Sequence, residues 1–165
     1  MYAVLAIVIV LASPLPMAVA QEPADSQVMR RLADSSPRLE PHWRYIGGVC
    51  SSPPLLDEQL GVSVAIFERK RDRGQPELVE IEIYSVSSAE AASRWIRVLG
   101  DGSTGTDWRI APYQLGDEAF VATSPDGKSF GLTIRAGTLL IRVQGESLPS
   151  VERFARHVLA ATAAN

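Results

Sequence analysis

Glu80 and Glu82 are the residues whose spacing comes closest to a catalytic arrangement. They lie two positions apart in a predicted strand, so both carboxylates point to one face, about 7 Å apart. That separation suits the acid and base of an inverting glycosidase. Such an enzyme needs one buried carboxyl group, whereas these two occupy the polar face of a strand, where arginine or lysine would neutralise them. The pair favours a structural role, with a carboxylate-dependent hydrolase as the alternative.

A second acidic pair, Asp117 and Glu118, follows Gly116. Neighbouring side chains of an extended chain point to opposite faces, which makes these two poor partners in acid and base catalysis. A structural account is available, because Gly116 permits a tight turn and Asp117 can bind a nearby backbone amide. Asp117 and Glu118 are nevertheless candidate ligand-binding residues and, with Glu80 and Glu82, the candidate acids of the alternative hydrolase.

Aromatic and basic side chains provide the other candidate ligand contacts. Trp43 and Tyr45 lie two positions apart and predict either packing or a ligand platform. Arg69 and Arg71 belong to a basic segment that extends to Arg73 and suits an anionic phospholipid or an acidic glycan. The same segment is also typical of a solvated hairpin loop that discourages edge aggregation.

Other chemistries lack the residues they need. A metal site requires several converging ligands, but the chain has only His42, His157 and one cysteine, Cys50. No nucleophile motif or triad is present, and the glycine-rich segment 100–106 lacks the lysine and hydroxyl residue that end a phosphate-binding loop. The sequence therefore predicts no catalytic residue, no metal and no cofactor.

The amino-terminal segment has the pattern of a signal peptide. Its first 21 residues carry no charged side chain, residues 2–12 are almost wholly apolar, and Ala18-Val19-Ala20 is a small-x-small cleavage pattern. Cleavage after Ala20 predicts a periplasmic or secreted protein with no stable membrane span. The alternative is an uncleaved anchor, although the prolines at 14 and 16 leave fewer apolar residues than the roughly 20 that a span needs.

The remaining 145 residues are enough for one domain. We interpret residues 21–41 as a polar linker or arm with a short helical stretch at 26–33, and residues 42–165 as a single domain. The net charge of -3 gives no reason to expect nucleic acid as a partner, which leaves an unknown small molecule or an envelope protein. The lone Cys50 cannot form an intrachain disulfide, so the core must stabilise the fold.

Hydrophobic periodicity predicts the elements that position these residues. Alternation of period two indicates strands with one buried face, at residues 62–67, 78–84, 130–135 and 139–144, and residues 119–123 are a further short apolar strand. A capping box at Ser87 and Glu90 begins a helix that Gly100 ends in a left-handed conformation, and a second helix covers residues 148–163. The predicted fold is α+β, in the order ββαβββα, with an antiparallel sheet of about five strands and both helices on one face.

One pair of motifs carries a resemblance. Residues 115–120 read Leu-Gly-Asp-Glu-Ala-Phe, and an Arg-Ala-Gly hairpin follows within residues 134–143. The region 85–163 resembles uncharacterised bacterial secreted proteins and lipoproteins and, more loosely, the extracellular sensor domains of mycobacterial-type receptor kinases. The resemblance implies an α+β sheet with a groove and no established activity. This chain lacks the kinase domain, the span before the sensor domain and the paired cysteines of those receptors.

The sequence therefore favours an exported, non-enzymatic binding or sensor-like module. The alternatives are the hydrolase described above and an envelope protein that acts through protein interactions.

Overall fold

The computed structural model describes residues 24–39, 42–50, 58–101 and 107–163. The predicted signal peptide and its cleavage site lie outside these residues. Within them, no helix is both long and apolar enough to cross a membrane.

Within the described residues, seven antiparallel strands form one sheet in the order β1-β2-β3-β7-β6-β5-β4. The strands are β1 (Arg44–Cys50), β2 (Gln59–Arg69), β3 (Glu77–Val86), β4 (Arg109–Tyr113), β5 (Glu118–Thr123), β6 (Phe130–Ala136) and β7 (Leu139–Gly145). The same part of the chain contains three helices, namely α1 (Ala24–Leu39), α2 (Ala89–Gly100) and α3 (Leu148–Ala163). The predicted α+β class and antiparallel sheet are confirmed. The predicted strand number and element order are wrong, because β1 and β4 were not foreseen and α1 was expected only as a short helical stretch at 26–33.

The strands predicted from alternation owe their pattern to a core on one face of the sheet. In β3, Val79, Ile81 and Ile83 are fully buried, and in β7, which pairs with β3, Ile141 and Val143 are fully buried too. Helices α1 and α3 cover this face, to which α3 contributes the buried side chains Val151, Phe154, Ala155 and Val158. Removal of this apolar surface from water is the main source of stability.

Helix α2 lies on the opposite face and packs on β3, β5, β6 and β7. Its buried residues, Ala91, Ala92 and Ile96, contact Val86 and Leu140 of the sheet. The prediction that both helices share one face is therefore wrong. An amphipathic helix has one apolar stripe, and that stripe does not specify which face of a sheet it covers.

Both ends of α2 differ from the predicted capping. Ser88, not Ser87, is the N-cap, and its hydroxyl accepts a hydrogen bond from the Ala91 amide at 3.0 Å. The helix continues through Gly100, which has no positive φ. A Cβ on Gly100 would lie 3.1 Å from the Phe120 ring, so this glycine permits close packing of α2 on β5.

The segment interpreted as a linker or arm contains α1, a helix longer than the predicted stretch at 26–33. Val28 and Leu32 are almost completely buried and belong to the core under α3. Arg31 of α1 donates a hydrogen bond to the Ala161 carbonyl at 3.1 Å, which satisfies a free carbonyl near the end of α3. Helix α1 is therefore part of the packed structure.

The two unforeseen strands lie at the sheet edges. β1 contains Gly47 and Gly48 and shifts register between Tyr45 and Gly47, which removes a regular period of two. β4 contains Pro112, a residue that edge strands tolerate because no outer strand needs its amide. The side chain of Cys50, at the end of β1, lies outside the described residues, as does most of the predicted glycine-rich loop, 102–106.

Candidate functional site

A set of polar side chains lies in the middle of the sheet, on the face that α2 shares. We call Glu80, Glu82 and Tyr84 of β3, together with Arg142 and Gln144 of β7, the polar ladder. Glu82 stands opposite Arg142, and Glu80 stands opposite Gln144. The ladder runs from the α2 contact at Tyr84 towards the loop between β2 and β3.

Four of the five ladder residues form a connected network. The Tyr84 hydroxyl donates to Glu82 Oε2 at 3.1 Å, and Arg142 Nη1 lies 3.6 Å from the same oxygen. With the Gln144 amide oriented so that its oxygen faces Arg142, that oxygen accepts from Arg142 Nε at 3.0 Å. The Glu82 side chain is 18% exposed and the Arg142 side chain is 48% exposed, so the pair lies at the boundary between sheet and solvent.

The electrostatics of Tyr84 keep its proton in place. Burial raises the pKa of Tyr84 to about 12, and the negative charge and hydrogen bond of Glu82 act in the same direction. Tyr84 is therefore a hydrogen-bond donor throughout the physiological range.

Glu80 differs from its neighbours in the ladder. It is half-buried, between Ile66 of β2 and Gln144 of β7. Within the described residues it has no hydrogen bond or ion pair. A half-buried carboxylate without a compensating donor carries a desolvation cost, so Glu80 is available to accept hydrogen bonds from a bound molecule.

Trp108 lies just before β4 and approaches the polar ladder from the β6 side of the sheet. A Cβ built on Gly131 of β6 would lie 3.8 Å from Gln144 Cγ and 3.9 Å from Trp108 Cζ3. Because Gly131 pairs with Gln144, one edge of the indole and the Gln144 side chain both approach the same position of β6. An aromatic side chain and a row of polar groups therefore adjoin on one face.

This arrangement suits binding better than acid catalysis. Arg142 and the Tyr84 hydroxyl engage the Glu82 carboxylate, whereas the acid of a glycosidase needs an apolar pocket without a cationic partner. The expectation that a facing arginine would neutralise this pair is confirmed for Glu82.

The basic residues predicted as ligand contacts are engaged in ion pairs. Arg69 hydrogen-bonds to Glu77, a carboxylate that is only 2% exposed, and Arg71 lies 3.6 Å from Glu77 and 2.9 Å from Glu146. The predicted hairpin loop is present between β2 and β3, but much of its positive charge is compensated by these carboxylates.

The two predicted aromatic contacts belong to one aromatic cluster, because their partners Phe154 and Phe67 lie 4.9 Å apart. Trp43 is 6% exposed and packs edge-on against Phe154 at 5.1 Å, while the Arg69 guanidinium lies 5.0 Å from its ring centre. Tyr45 is 43% exposed and packs against Phe67 at 5.6 Å. Beside Trp43 lies an open cavity of about 370 Å³, lined by His42, Trp43, Arg44, Glu68 and Lys70.

Asp117 and Glu118 lie away from the ladder, because β6 separates β5 from β7, the nearer of the two ladder strands. Two strand spacings amount to about 10 Å. Asp117 Oδ2 accepts from the Gly137 amide at 2.8 Å and from Arg135 at 3.1 Å, and Glu118 lies 3.6 Å from Arg135. Asp117 thus binds a backbone amide, as the sequence suggested. The structure brings Trp43 and Arg69 together, whereas Asp117 and Glu118 contact Arg135 elsewhere on the sheet.

Sequence reasoning missed Tyr84, Arg142, Gln144 and Trp108 as site residues. Tyr84, Arg142 and Gln144 stood on the polar sides of predicted strands, which was the available signal. Their convergence depends on the pairing of β3 with β7, and no local sequence pattern predicts that pairing. Among the described residues, no group of three potential metal ligands converges.

Comparison with known proteins supports the fold. No protein-family model and no curated protein matches the sequence. Among solved structures, the chain is similar to the extracellular domain of PknH from Mycobacterium tuberculosis, with a TM-score of 0.60 and 9% identity, over 88% of this chain and 99% of that one. A GTP-binding regulator from Thermotoga maritima has a TM-score of 0.46 and 18% identity, over 76% and 83% of the two chains. The first likeness confirms the resemblance to receptor-kinase sensor domains at the level of the fold, and the second is too distant to support an argument.

Proposed function

We propose that the protein is an exported, non-enzymatic, sensor-like module that binds a small ligand at the polar ladder. The observation that carries this proposal is the connected network of Tyr84, Glu82, Arg142 and Gln144 beside the unpaired Glu80 and the ring of Trp108. Binding sites typically combine apolar or aromatic surface with a few placed polar groups, and both are present here.

The fold agrees with this role without establishing it. A chain of similar fold forms the extracellular domain of PknH. Export of the present chain is proposed from its own amino-terminal segment, through the apolar run at 2–12 and the cleavage pattern that ends at Ala20.

Export is tested by amino-terminal sequencing of the protein from fractionated cells of its natural host. We expect a mature chain that begins at Gln21 and lies outside the cytoplasm. A soluble cytoplasmic protein that begins at Met1 would contradict the proposal.

Ligand binding is tested by native mass spectrometry of the mature protein purified from the same host. We expect a bound small molecule on the unaltered protein, and loss of that mass from Arg142→Ala. Arg156→Ala is the matched control, because Arg156 pairs with Glu152 on α3, across the sheet from the ladder, and should leave the bound mass unchanged. A ligand that stays on Arg142→Ala, or its absence from all three proteins, would refute binding at the ladder.

A further inference from the structure

We propose that the ligand of the polar ladder is a neutral saccharide whose ring lies against Trp108. This inference rests on the proposed binding function and names the chemical class that the ladder recognises.

Trp108 provides the surface for the apolar face of a sugar ring. The Cζ3 edge of its indole lies 3.9 Å from a Cβ built on Gly131, and Gln144 Cγ lies 3.8 Å from the same point, so the ring and the amide side chain approach one position of the sheet. Trp108 is half-buried, so its ring position is set by the sheet while part of the ring stays accessible. An aromatic ring can cover carbon-bound hydrogens while polar neighbours meet the hydroxyl groups around them.

The polar ladder offers both donors and acceptors, which is what hydroxyl groups require. Arg142 donates, Gln144 donates and accepts, and Glu80 accepts, while each sugar hydroxyl can do both. The carboxylate of Glu80 has no hydrogen bond or ion pair in the described part of the chain, so it can receive two hydroxyl donors.

The charge balance disfavours an ionic ligand. Glu82 and Arg142 compensate one another, so the ladder retains a single uncompensated charge, that of Glu80. A phosphate group would need several converging donors and would be repelled by Glu80. An ammonium group would be repelled by the positive charge of Arg142 in the same ladder. Neutral hydroxyl groups suffer neither penalty.

The dimensions favour a disaccharide. Gly131, Gln144 and Glu80 lie on three successive strands, and two strand spacings amount to about 10 Å. That span is close to the length of two linked sugar rings, one over Trp108 and Gln144 and the next reaching Glu80.

The experiment is an amide NMR titration of the mature protein with cellobiose, trehalose and diacetylchitobiose, each up to millimolar concentration. Choline and acetate are the ionic comparison probes. We expect at least one disaccharide to shift the amides of Glu80, Gly131 and Gln144, and the ionic probes to leave them unchanged. Shifts from choline or acetate alone would overturn the saccharide class while preserving a binding site at the ladder. No shift from any disaccharide, or shifts confined to other residues, would also overturn it.

Two variants of the mature protein test the role of the Trp108 indole ring. Trp108→Leu should weaken disaccharide binding about fivefold, since an aromatic contact contributes about 1 kcal/mol. Gly131→Ala should fold normally, because its new methyl group would make only ordinary contacts at 3.8 and 3.9 Å, yet it should alter the surface beneath the sugar and weaken binding. Tyr45→Leu is the control, as it removes an exposed aromatic ring from β1. Equal affinity of Trp108→Leu and Tyr45→Leu would overturn the proposed stacking.

Discussion

The carboxylate of Glu77 accepts a hydrogen bond from the Ser150 hydroxyl at 2.9 Å, which joins the start of β3 to the first turn of α3. Arg69 and Arg71 approach the same carboxylate from the hairpin side. Burial alone would raise the pKa of Glu77, but the hydrogen bonds from Arg69 and Ser150 and the two arginine charges outweigh it and hold the pKa below 4.5.

Glu77→Gln should therefore lower the free energy of unfolding by about 1 to 3 kcal/mol at neutral pH, because it removes a buried charged acceptor. A depressed carboxyl pKa contributes stability above the unfolded value of 4.5, and this contribution is lost as pH falls through the folded pKa. Urea denaturation of both proteins at neutral pH and well below 4.5 should show the difference shrinking. Glu146→Gln, at an exposed partner of Arg71, is the control with a small effect. A difference that is independent of pH would contradict this account.

Ser88→Ala should cost about 1 kcal/mol of stability, since Ser88 caps α2 through the Ala91 amide. Ser87→Ala should cost less, because the Ser87 hydroxyl donates at 3.0 Å to the exposed carboxylate of Glu58. The urea midpoints of the two variants show which serine caps α2. A larger loss in Ser87→Ala would mean that the capping box predicted from the sequence is correct after all.

Gly116→Ala should destabilise more than Gly127→Ala. Both glycines have positive φ, 65° and 72°, which costs an L-residue about 1 to 2 kcal/mol. Gly127 has open space around it, whereas a Cβ on Gly116 would lie 2.5 Å from Ile134 Cγ2 and 2.7 Å from the Arg135 carbonyl oxygen. Thermal unfolding of the two variants isolates the steric contribution, and equal melting temperatures would exclude it.

Asp117→Asn should leave the melting temperature almost unchanged. An amide oxygen can still accept from the Gly137 amide, and the contact with Arg135 is on an exposed carboxylate. Its ligand affinity in the disaccharide titration should also be unchanged. A stable variant that has lost binding would assign Asp117 to the ligand and would restore the Gly-Asp-Glu-Ala motif as a functional site.

Leu32→Ala should cost about 2 to 5 kcal/mol, because Leu32 is 1% exposed in the core beneath α1. Asp34→Ala, on the exposed side of the same helix, is the matched control and should have little effect. Chemical denaturation compares the two. A negligible loss from Leu32→Ala would show that residues 24–39 act as an arm, as the polar composition of this segment first indicated.

The sequence by itself determined the local elements with strong periodicity. The alternation in β3 and β7 predicted both strands and their buried faces, because a strand that covers a core must place apolar side chains at every second position. The edge strands, and the full length and packing of α1, were not predicted, because their apolar patterns are weak. Two glycines interrupt β1, Pro112 lies in β4, and the buried stripe of α1 is short within a polar segment.

Only the tertiary structure decided which elements meet. The pairing of Glu82 with Arg142 joins residues 60 positions apart in the sequence, through a contact between β3 and β7 that neither strand specifies alone. The same holds for α2, whose apolar stripe would suit either face of the sheet until α1 and α3 cover one of them. The candidate site is accessible because α2 covers only part of the sheet face that carries the polar ladder. How much of that face stays uncovered depends on how all three helices pack on the sheet.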